Sequence, residues 1–484
     1  MYIGPLFLQT QRQFLETRIS IISMSLIKSI SGIRGTIGGK VGEGLSPLDC
    51  VKFTAAYGTW LLKRHQDKKD IKVVVGRDAR LSGAMVESLV ISTLQALGIH
   101  IVNLGLSTTP TVEIAVPKED AHGGIILTAS HNPKQWNALK LLNEKGEFIS
   151  GAEGADLLAI ADAEDFDFVE VDAIGTITEK DYLQEHIQAV LDLELVDVDA
   201  IKNAGFKVAV DAVNSTGGIY IPAMLKALGV AEVYELYCEP TGHFPHNPEP
   251  LPEHLTAISS LVKEKNADVG IVVDPDVDRL ALVCNDGSMF GEEYTLVAVS
   301  DYVLKHTPGS TVSNMSSTRA LRDVTENHAQ SYTPAAVGEV NVVKKMKDTN
   351  AVIGGEGNGG IIYPASHYGR DALVGVALFL SHLAKANMSS KELRMSYPAY
   401  FISKNKIQLT PEINVDQILK DMQVKYASED INTEDGVKIN FAKEWVHLRK
   451  SNTEPIIRIY AESEDETKAN TLAEKIIADI KEMI

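Results

Sequence analysis

GIILTASHNP, residues 124–133, is the stretch that decides the fold. It opens on a continuous apolar, β-branched run with no polar alternation, the mark of a strand buried on both faces. It then breaks into a polar loop stopped by Asn132-Pro133. The same pattern returns as VVVGRDARLSG (73–83), VAVDAVNSTGG (208–218), GIVVDPDVDR (270–279) and AVIGGEGNGG (351–360). Helical stretches lie between these runs. Ser46-Pro47 reads as an N-cap followed by proline at the first helical position, with Leu48, Val51, Ala55 and Leu62 on one face. Alternation of this kind predicts α/β sheets covered by helices. Ligands then sit beyond the carboxyl ends of the strands, where the polar loops lie.

Outward from this core the organisation is less sharp. The acidic stretch 161–172 precedes a predicted helix over 182–193, and the proline-rich run 239–252 reads as an ordered loop within a domain. The pattern turns strand-rich near Met388. The chain ends in a helix whose predicted capping box is Ser463 with Glu466 and whose apolar face is Ala469, Leu472, Ala473, Ile476 and Ile480. No internal repeat is visible.

The length, 484 residues, suggests three domains at ~150 residues each. The net charge of −19, from 46 Lys and Arg against 65 Asp and Glu, disfavours non-specific binding of nucleic acid or an anionic membrane. Three scattered cysteines, Cys50, Cys238 and Cys284, form no disulfide framework or zinc pair, which fits a reducing cytoplasm. No apolar run approaches the ~20 residues needed to span a bilayer. The first 23 residues, before Met24, lack the basic start and apolar core of a secretory signal. They read as an added helix or, the reading favoured, as upstream sequence from a misplaced start codon, in which case their removal is expected to leave activity unchanged.

Five segments carry possible chemistry. Ser130, in Thr128-Ala129-Ser130-His131-Asn132-Pro133, follows a buried strand directly. Its hydroxyl reads equally as a nucleophile or phosphate carrier and as a turn or helix cap. Asp274, Asp276 and Asp278 stand at i, i+2 and i+4 beyond a strand. Three adjacent carboxylates repel unless a cation joins them, and hard oxygen donors select Mg²⁺ or Ca²⁺. Arg279 follows, able to grip phosphate with two nitrogens. Gly354–Gly360 sets Glu356 and Asn358 on bare backbone, suited to a polyhydroxylated ligand or to a plain turn, and no phosphate-binding GxxxxGK[ST] is present. Arg449-Lys450-Ser451-Asn452-Thr453-Glu454-Pro455, with Arg458 beyond, reads as a phosphate-gripping set in an acidic protein ahead of a plain polar loop between two strands. Ser31-Gly32-Ile33-Arg34-Gly35-Thr36 alone reads as a turn. The thirteen histidines form no HExxH pair, which argues against a zinc hydrolase.

Taken in order, TASHNP, DPDVDR, GEGNGG and RKSNTEP resemble the α-D-phosphohexomutase superfamily of phosphoglucomutases, phosphomannomutases and phosphoglucosamine mutases. The match runs from Met24 nearly to the end, and the sugar-loop form resembles the archaeal-type phosphoglucosamine mutases. The resemblance implies three α/β domains with helix-covered mixed sheets and a smaller C-terminal α+β domain around a central cleft. The expected limits are 24–175 with the phosphoserine loop, 176–288 with the metal loop, 289–390 with the sugar loop and 391–484 with the phosphate loop, after the extension 1–23. It makes Ser130 the phosphoserine and gives Mg²⁺ to Asp274, Asp276, Asp278 and a phosphoserine oxygen. It places Lys140 and Arg34 in the acid–base neighbourhood and His131, Asn132 and Arg279 among nearby contacts. Glu356 and Asn358 fall on sugar hydroxyls, and Arg449, Ser451, Asn452 and Thr453 on the distal phosphate. The implied reaction exchanges hexose 1- and 6-phosphates through a 1,6-bisphosphate, with glucosamine phosphate favoured and glucose or mannose phosphate next. A phosphatase and a non-catalytic sugar-phosphate sensor are the rival readings. Two departures stand out. Pro275 and Val277 replace small residues of the metal loop, and Gly360 stands where many relatives carry a histidine, for which His367 is the substitute considered. Oligomeric state cannot be read from the sequence.

Overall fold

A computed structural model describes residues 25–29, 32–408, 413–450 and 456–483. Ser31, Met24 and the extension before it lie outside the described residues, as do Ser451, Asn452 and Thr453.

Strands β1 (Ile27–Ser29), β2 (Gly32–Thr36), β3 (Lys72–Arg77), β4 (His100–Leu106), β5 (Gly123–Leu127), β6 (Trp136–Leu142) and β7 (Ile177–Glu179) form one sheet, ordered β1-β2-β6-β5-β3-β4-β7. β5, β3, β4 and β7 pair in parallel, whereas β6 is antiparallel to both its neighbours. β5 is buried along its whole length, as its unbroken apolar run requires. The second sheet holds β8 (Lys207–Asp211), β9 (Glu232–Leu236), β10 (Val269–Val273) and β11 (Leu280–Cys284) in the order β11-β10-β8-β9. The third holds β12 (Thr311–Asn314), β13 (Tyr332–Ala335), β14 (Ile353–Glu356) and β15 (Gly360–Ile362) in the order β13-β12-β14-β15. In each, parallel strands meet one antiparallel partner: β11 against β10, β15 against β14. The fourth sheet is antiparallel throughout: β16 (Phe401–Gln408), β17 (Asp430–Asn432), β18 (Val437–Asn440), β19 (Trp445–Lys450) and β20 (Ile456–Ser463), ordered β16-β20-β19-β18-β17.

This topology explains where the motifs fall. The β5–β6, β10–β11 and β14–β15 hairpins carry the serine, aspartate and glycine-rich loops in turn, and β19–β20 brackets the basic segment. The three α/β units therefore repeat one device, a buried parallel strand turning back through a polar loop. The repeat is invisible in the sequence because topology, not residue identity, is shared.

Three local expectations are corrected. Gly32–Thr36 is a strand rather than a turn; it pairs with β6 so closely that a Cβ on Gly32 would lie 2.3 Å from the Leu139 carbonyl oxygen. Ser46 does cap the helix Pro47–Arg64, in a capping box with Asp49, and Ala55 of the expected face is buried, but the large buried side chains are Phe53, Tyr57, Trp60 and Leu61, and Leu48 is 63% exposed. At the C-terminus Asp465 caps the helix Glu466–Glu482 by accepting from the Lys468 N–H, while Ser463 donates instead to Glu444. The five face residues of that helix are all buried. No described helix is long and apolar enough to cross a membrane.

Candidate active site

Ser130 follows β5 with a φ of 50°, in the left-handed region that a side chain disfavours. Its loop is held there by Arg80, which is 2% exposed. Arg80 places Nε on Asp78 Oδ2 at 3.0 Å, Nη1 on the carbonyls of Pro133 (2.9 Å) and Trp136 (3.0 Å), and Nη2 on those of Asn132 (2.6 Å) and Ser130. All five donors of the guanidinium are thus used, four of them on the serine loop. Asp78 in turn accepts from the Thr128 hydroxyl at 2.7 Å, and Thr128 accepts from the Ser130 N–H at 2.9 Å. The fixed loop points the Ser130 hydroxyl at Asp274 Oδ2, 2.7 Å away.

Asp274, Asp276 and Asp278 are fully buried, with one oxygen from each lying within 4.8 Å of the others. Burial, followed by repulsion from Asp278 and Asp276, pushes the Asp274 carboxyl well above its ordinary range. Burial acts likewise on Asp276, but Lys140 overrides it and pulls that carboxyl below the usual range. Oδ1 of Asp276 and Oδ1 of Asp278 are buried without a hydrogen-bond partner. Three hard carboxylates, mutually repelling, with buried oxygens unsatisfied, fit a divalent cation such as Mg²⁺. The turn is itself strained, because Val277 has a φ of 63°, unusual for a β-branched residue.

Cations ring the triad. Lys140, on β6, donates to Asp276 (2.7 Å) and reaches Asp278 (3.3 Å). Burial opposes its charge, but those carboxylates hold it protonated above its ordinary range. Arg279 hydrogen-bonds Asp274 through its backbone N–H and keeps Nε 3.8 Å from Asp278. Arg34 sits opposite Ala138 in the β2–β6 register, and burial plus the nearby Arg279 and Arg370 lower its pKa. His131 is held neutral, well below its usual value, by burial and then by Arg279. Thr109, the first residue of the helix Thr109–Lys118 in the first unit, donates to Asp276 at 2.5 Å and ties that unit to the aspartate loop.

The third loop faces this cluster. Glu356 accepts from Asn314 Nδ2 (2.8 Å) and the Gly338 N–H (3.1 Å), and Asn358 lies 3.5 Å from its other oxygen. Arg370 joins the two loops, donating to Glu356 at 2.8 Å and to Asp278 at 2.6 Å. His367 does not replace the missing sugar-loop histidine. It lies between Glu113 (3.3 Å) and Asp371 (3.2 Å), whereas Arg370 occupies the space beside Gly360, where a Cβ would meet its Cδ at 2.3 Å. In the fourth unit Arg449, next to last in β19, has Nε 2.7 Å from Asp435.

The structure brings together Ser130, the three aspartates, Lys140, Arg279, Arg34, His131 and Glu356. Sequence reading missed Arg80, Asp78, Thr109, Asn314 and Arg370. Asp78 and Arg80 did lie in a flagged polar loop, 73–83, but an arginine that binds backbone carbonyls has no sequence partner to betray it.

Residues 27–168, 181–287 and 291–400 match alpha/beta/alpha domains I, II and III of phosphoglucomutase/phosphomannomutase, and 406–479 match its C-terminal domain. The chain is 33% identical, over 93% of its length and 98% of the relative's, to a phosphoglucomutase/phosphomannomutase of Thermococcus kodakarensis. It is 30% identical to a phosphoglucosamine/phosphogalactosamine mutase of Sulfurisphaera tokodaii, over 94% and 98% of the two chains. A crystal structure of a Burkholderia thailandensis phosphoglucomutase/phosphomannomutase family protein superposes with a TM-score of 0.81 at 24% identity, covering 96% of this chain and 98% of that one.

Proposed function

The chain belongs to the phosphoglucomutase/phosphomannomutase family and is a phosphohexomutase, and from that premise we propose how it works and on which sugar. Ser130 carries the phosphoryl group. The observation behind this is the Ser130 hydroxyl held 2.7 Å from a carboxylate of the buried aspartate triad, with Lys140 on the same triad. A free hydroxyl of hexose 1- or 6-phosphate attacks phosphorus; its bond to the sugar oxygen forms as the bond to Ser130 Oγ breaks. The resulting 1,6-bisphosphate turns round in the cleft and returns its other phosphoryl to Ser130. Lys140, charged and buried, is placed to relay the proton: it gives one to the departing serine oxygen and regains the one that the attacking sugar hydroxyl loses. Asp274, Asp276 and Asp278 would hold Mg²⁺, which supplies charge stabilisation to the transferring group when bound. Arg34, His131 and Arg279 line this end of the cleft. Glu356 and Asn358 take sugar hydroxyls, and Arg449 with Ser451, Asn452 and Thr453 grips the distal phosphate.

The substrate we assign is glucosamine phosphate, supported by relatives named as phosphoglucosamine mutases, including one from Methanopyrus kandleri at 31% identity. The Thermococcus relative's name supports glucose or mannose phosphate as the second reading. Ser130→Ala is expected to lower turnover by roughly a thousandfold or more. Normal interconversion by that variant would refute the phosphoserine, and release of orthophosphate in place of isomer would show a phosphatase. Comparing kcat/KM on glucosamine, glucose and mannose phosphates decides the sugar.

A further inference from the structure

We propose that Arg370 is a positioning residue that fixes the sugar-loop carboxylate, Glu356, against the metal-loop carboxylate, Asp278, and so sets the sugar's distance from the transferring group. This rests on the phosphohexomutase reading. The Arg370 side chain is 9% exposed, and each nitrogen of its fork has its own carboxylate. Nη2 meets Asp278 at 2.6 Å, Nη1 meets Glu356 at 2.8 Å, and Nε meets Glu339 at 3.1 Å. Glu339 opens the helix Glu339–Thr349 and also accepts the Arg370 backbone N–H at 3.0 Å, so it orients the fork from behind. The guanidinium is planar, so its two outer nitrogens impose one spacing on two oxygens from different domains.

The oxygens it leaves alone support the same role. Oε1 of Glu356 is already taken by Asn314 and Gly338, so Arg370 fixes the remaining oxygen and with it the plane of the carboxylate. Arg370 takes Oδ2 of Asp278 and leaves Oδ1, buried and unpartnered, for the cluster of aspartates. Room for the fork comes from Gly360, where any Cβ would overlap Arg370 Cδ at 2.3 Å. A lysine at 370 keeps the charge but reaches one carboxylate at a time.

The test compares Arg370→Lys and Gly360→Ala with the wild-type enzyme, the second displacing the fork without removing a hydrogen-bonding group. Three quantities are measured: KM and kcat for the preferred hexose phosphate, Mn²⁺ affinity by titration calorimetry, and melting temperature. The expected result is a KM raised at least tenfold in both variants, exceeding any fall in kcat, with Mn²⁺ affinity changed less than threefold. A KM within threefold of wild type overturns the proposal. So does a loss of Mn²⁺ affinity that matches the rise in KM, since Arg370 would then act on the metal loop alone. If Arg370→Lys does not fold, Gly360→Ala decides by the same criteria. A wild-type enzyme inactive on all three sugar phosphates would instead sink the mutase reading, and this inference with it.

Discussion

The second and third domains are joined differently from the third and fourth. One hydrophobic cluster runs from Ile187, Val210 and Leu282 through Leu296, Phe290 and Phe379 to Leu393, so domains II and III share a core. The fourth domain keeps its own, built from Ile418, Met422, Val446, Ile459 and Ile476 among others. Its ties to domain III are polar: Ser316 to His447, the Arg319 N–H to Glu462, the Val337 N–H to Asp435 and Lys438 to the Met315 carbonyl. A cavity of about 680 Å³, lined by Arg319, Arg322, Lys438 and Trp445, opens between them. Separating domains II and III would expose apolar surface; shifting the fourth domain would exchange hydrogen bonds, each worth only about 1 kcal/mol net. Arg449, on β19, therefore rides on a domain tied to the third by exchangeable polar contacts.

The largest effect should come from breaking the shared core. Phe379 is fully buried and packs edge-to-face on Phe290 with ring centres 5.3 Å apart. Phe379→Ala is expected to cost about 4 kcal/mol. Calorimetry should show the transition of domains II and III falling while a separate transition of the fourth domain stays in place. One transition that shifts as a whole would show the two regions to be a single cooperative unit.

Next in size is Arg80→Lys, which tests the rigid end of the cleft. Lysine cannot satisfy the four loop carbonyls, leaving buried acceptors short of donors. About 3 kcal/mol of stability should be lost, and turnover should fall roughly a hundredfold as the serine misaligns. Unchanged turnover with lowered stability would mean that the serine loop keeps its aim unaided.

The polar interface should instead respond to pH. His447 is 1% exposed, bonded to Ser316 and the Asp435 carbonyl, with Lys438 and Arg449 nearby. Burial above all pulls its pKa down to about 4. The folded state then takes up a proton later than the unfolded state, so this contribution is complete above pH ~6.5 and drains away as pH falls toward about 4. Glu462, pushed up to about 7 chiefly by burial, has the opposite sign and gains stability over falling pH. Subtracting His447→Gln from wild type isolates the histidine, and the difference should approach 2–3 kcal/mol, on the order of one proton's linkage, by pH 4. A flat difference would mean that His447 is not held neutral by this interface.

These contrasts show what the sequence could and could not disclose. Continuous Val and Ile runs marked the buried strands because burial on two faces leaves no polar position, and the loops that carry Ser130, Asp276 and Glu356 were visible as interruptions of those runs. Local rules read from short windows failed where tertiary contacts decided the outcome. Arg34 sits in a strand because β6 lies beside it, and the C-terminal cap moved from Ser463 to Asp465 because Glu444 claimed the serine. Arg80 and Arg370 stayed hidden because each is defined by partners from distant segments: loop carbonyls some 50 residues away for Arg80, and Asp278 92 residues away for Arg370.

The smallest effect probes whether packing holds the metal turn in its strained shape. Val277 is fully buried at a φ of 63°, its carbonyl accepting from the Ala372 N–H at 3.2 Å, while Ser215 and Thr216 hold the Pro275 carbonyl beside it. Removing the side chain forfeits about 2 kcal/mol of burial. A left-handed backbone costs any residue with a Cβ about 1–2 kcal/mol, and glycine escapes that cost. Val277→Ala keeps the strain and loses most of the packing, whereas Val277→Gly loses the packing and is relieved of the strain. The usual ranking should therefore reverse, with Val277→Gly more stable than Val277→Ala by about 1 kcal/mol in denaturant melts. If alanine proves the more stable, the turn relaxes out of the left-handed region once valine is gone, and packing by Val277 is what sets the aspartates' spacing.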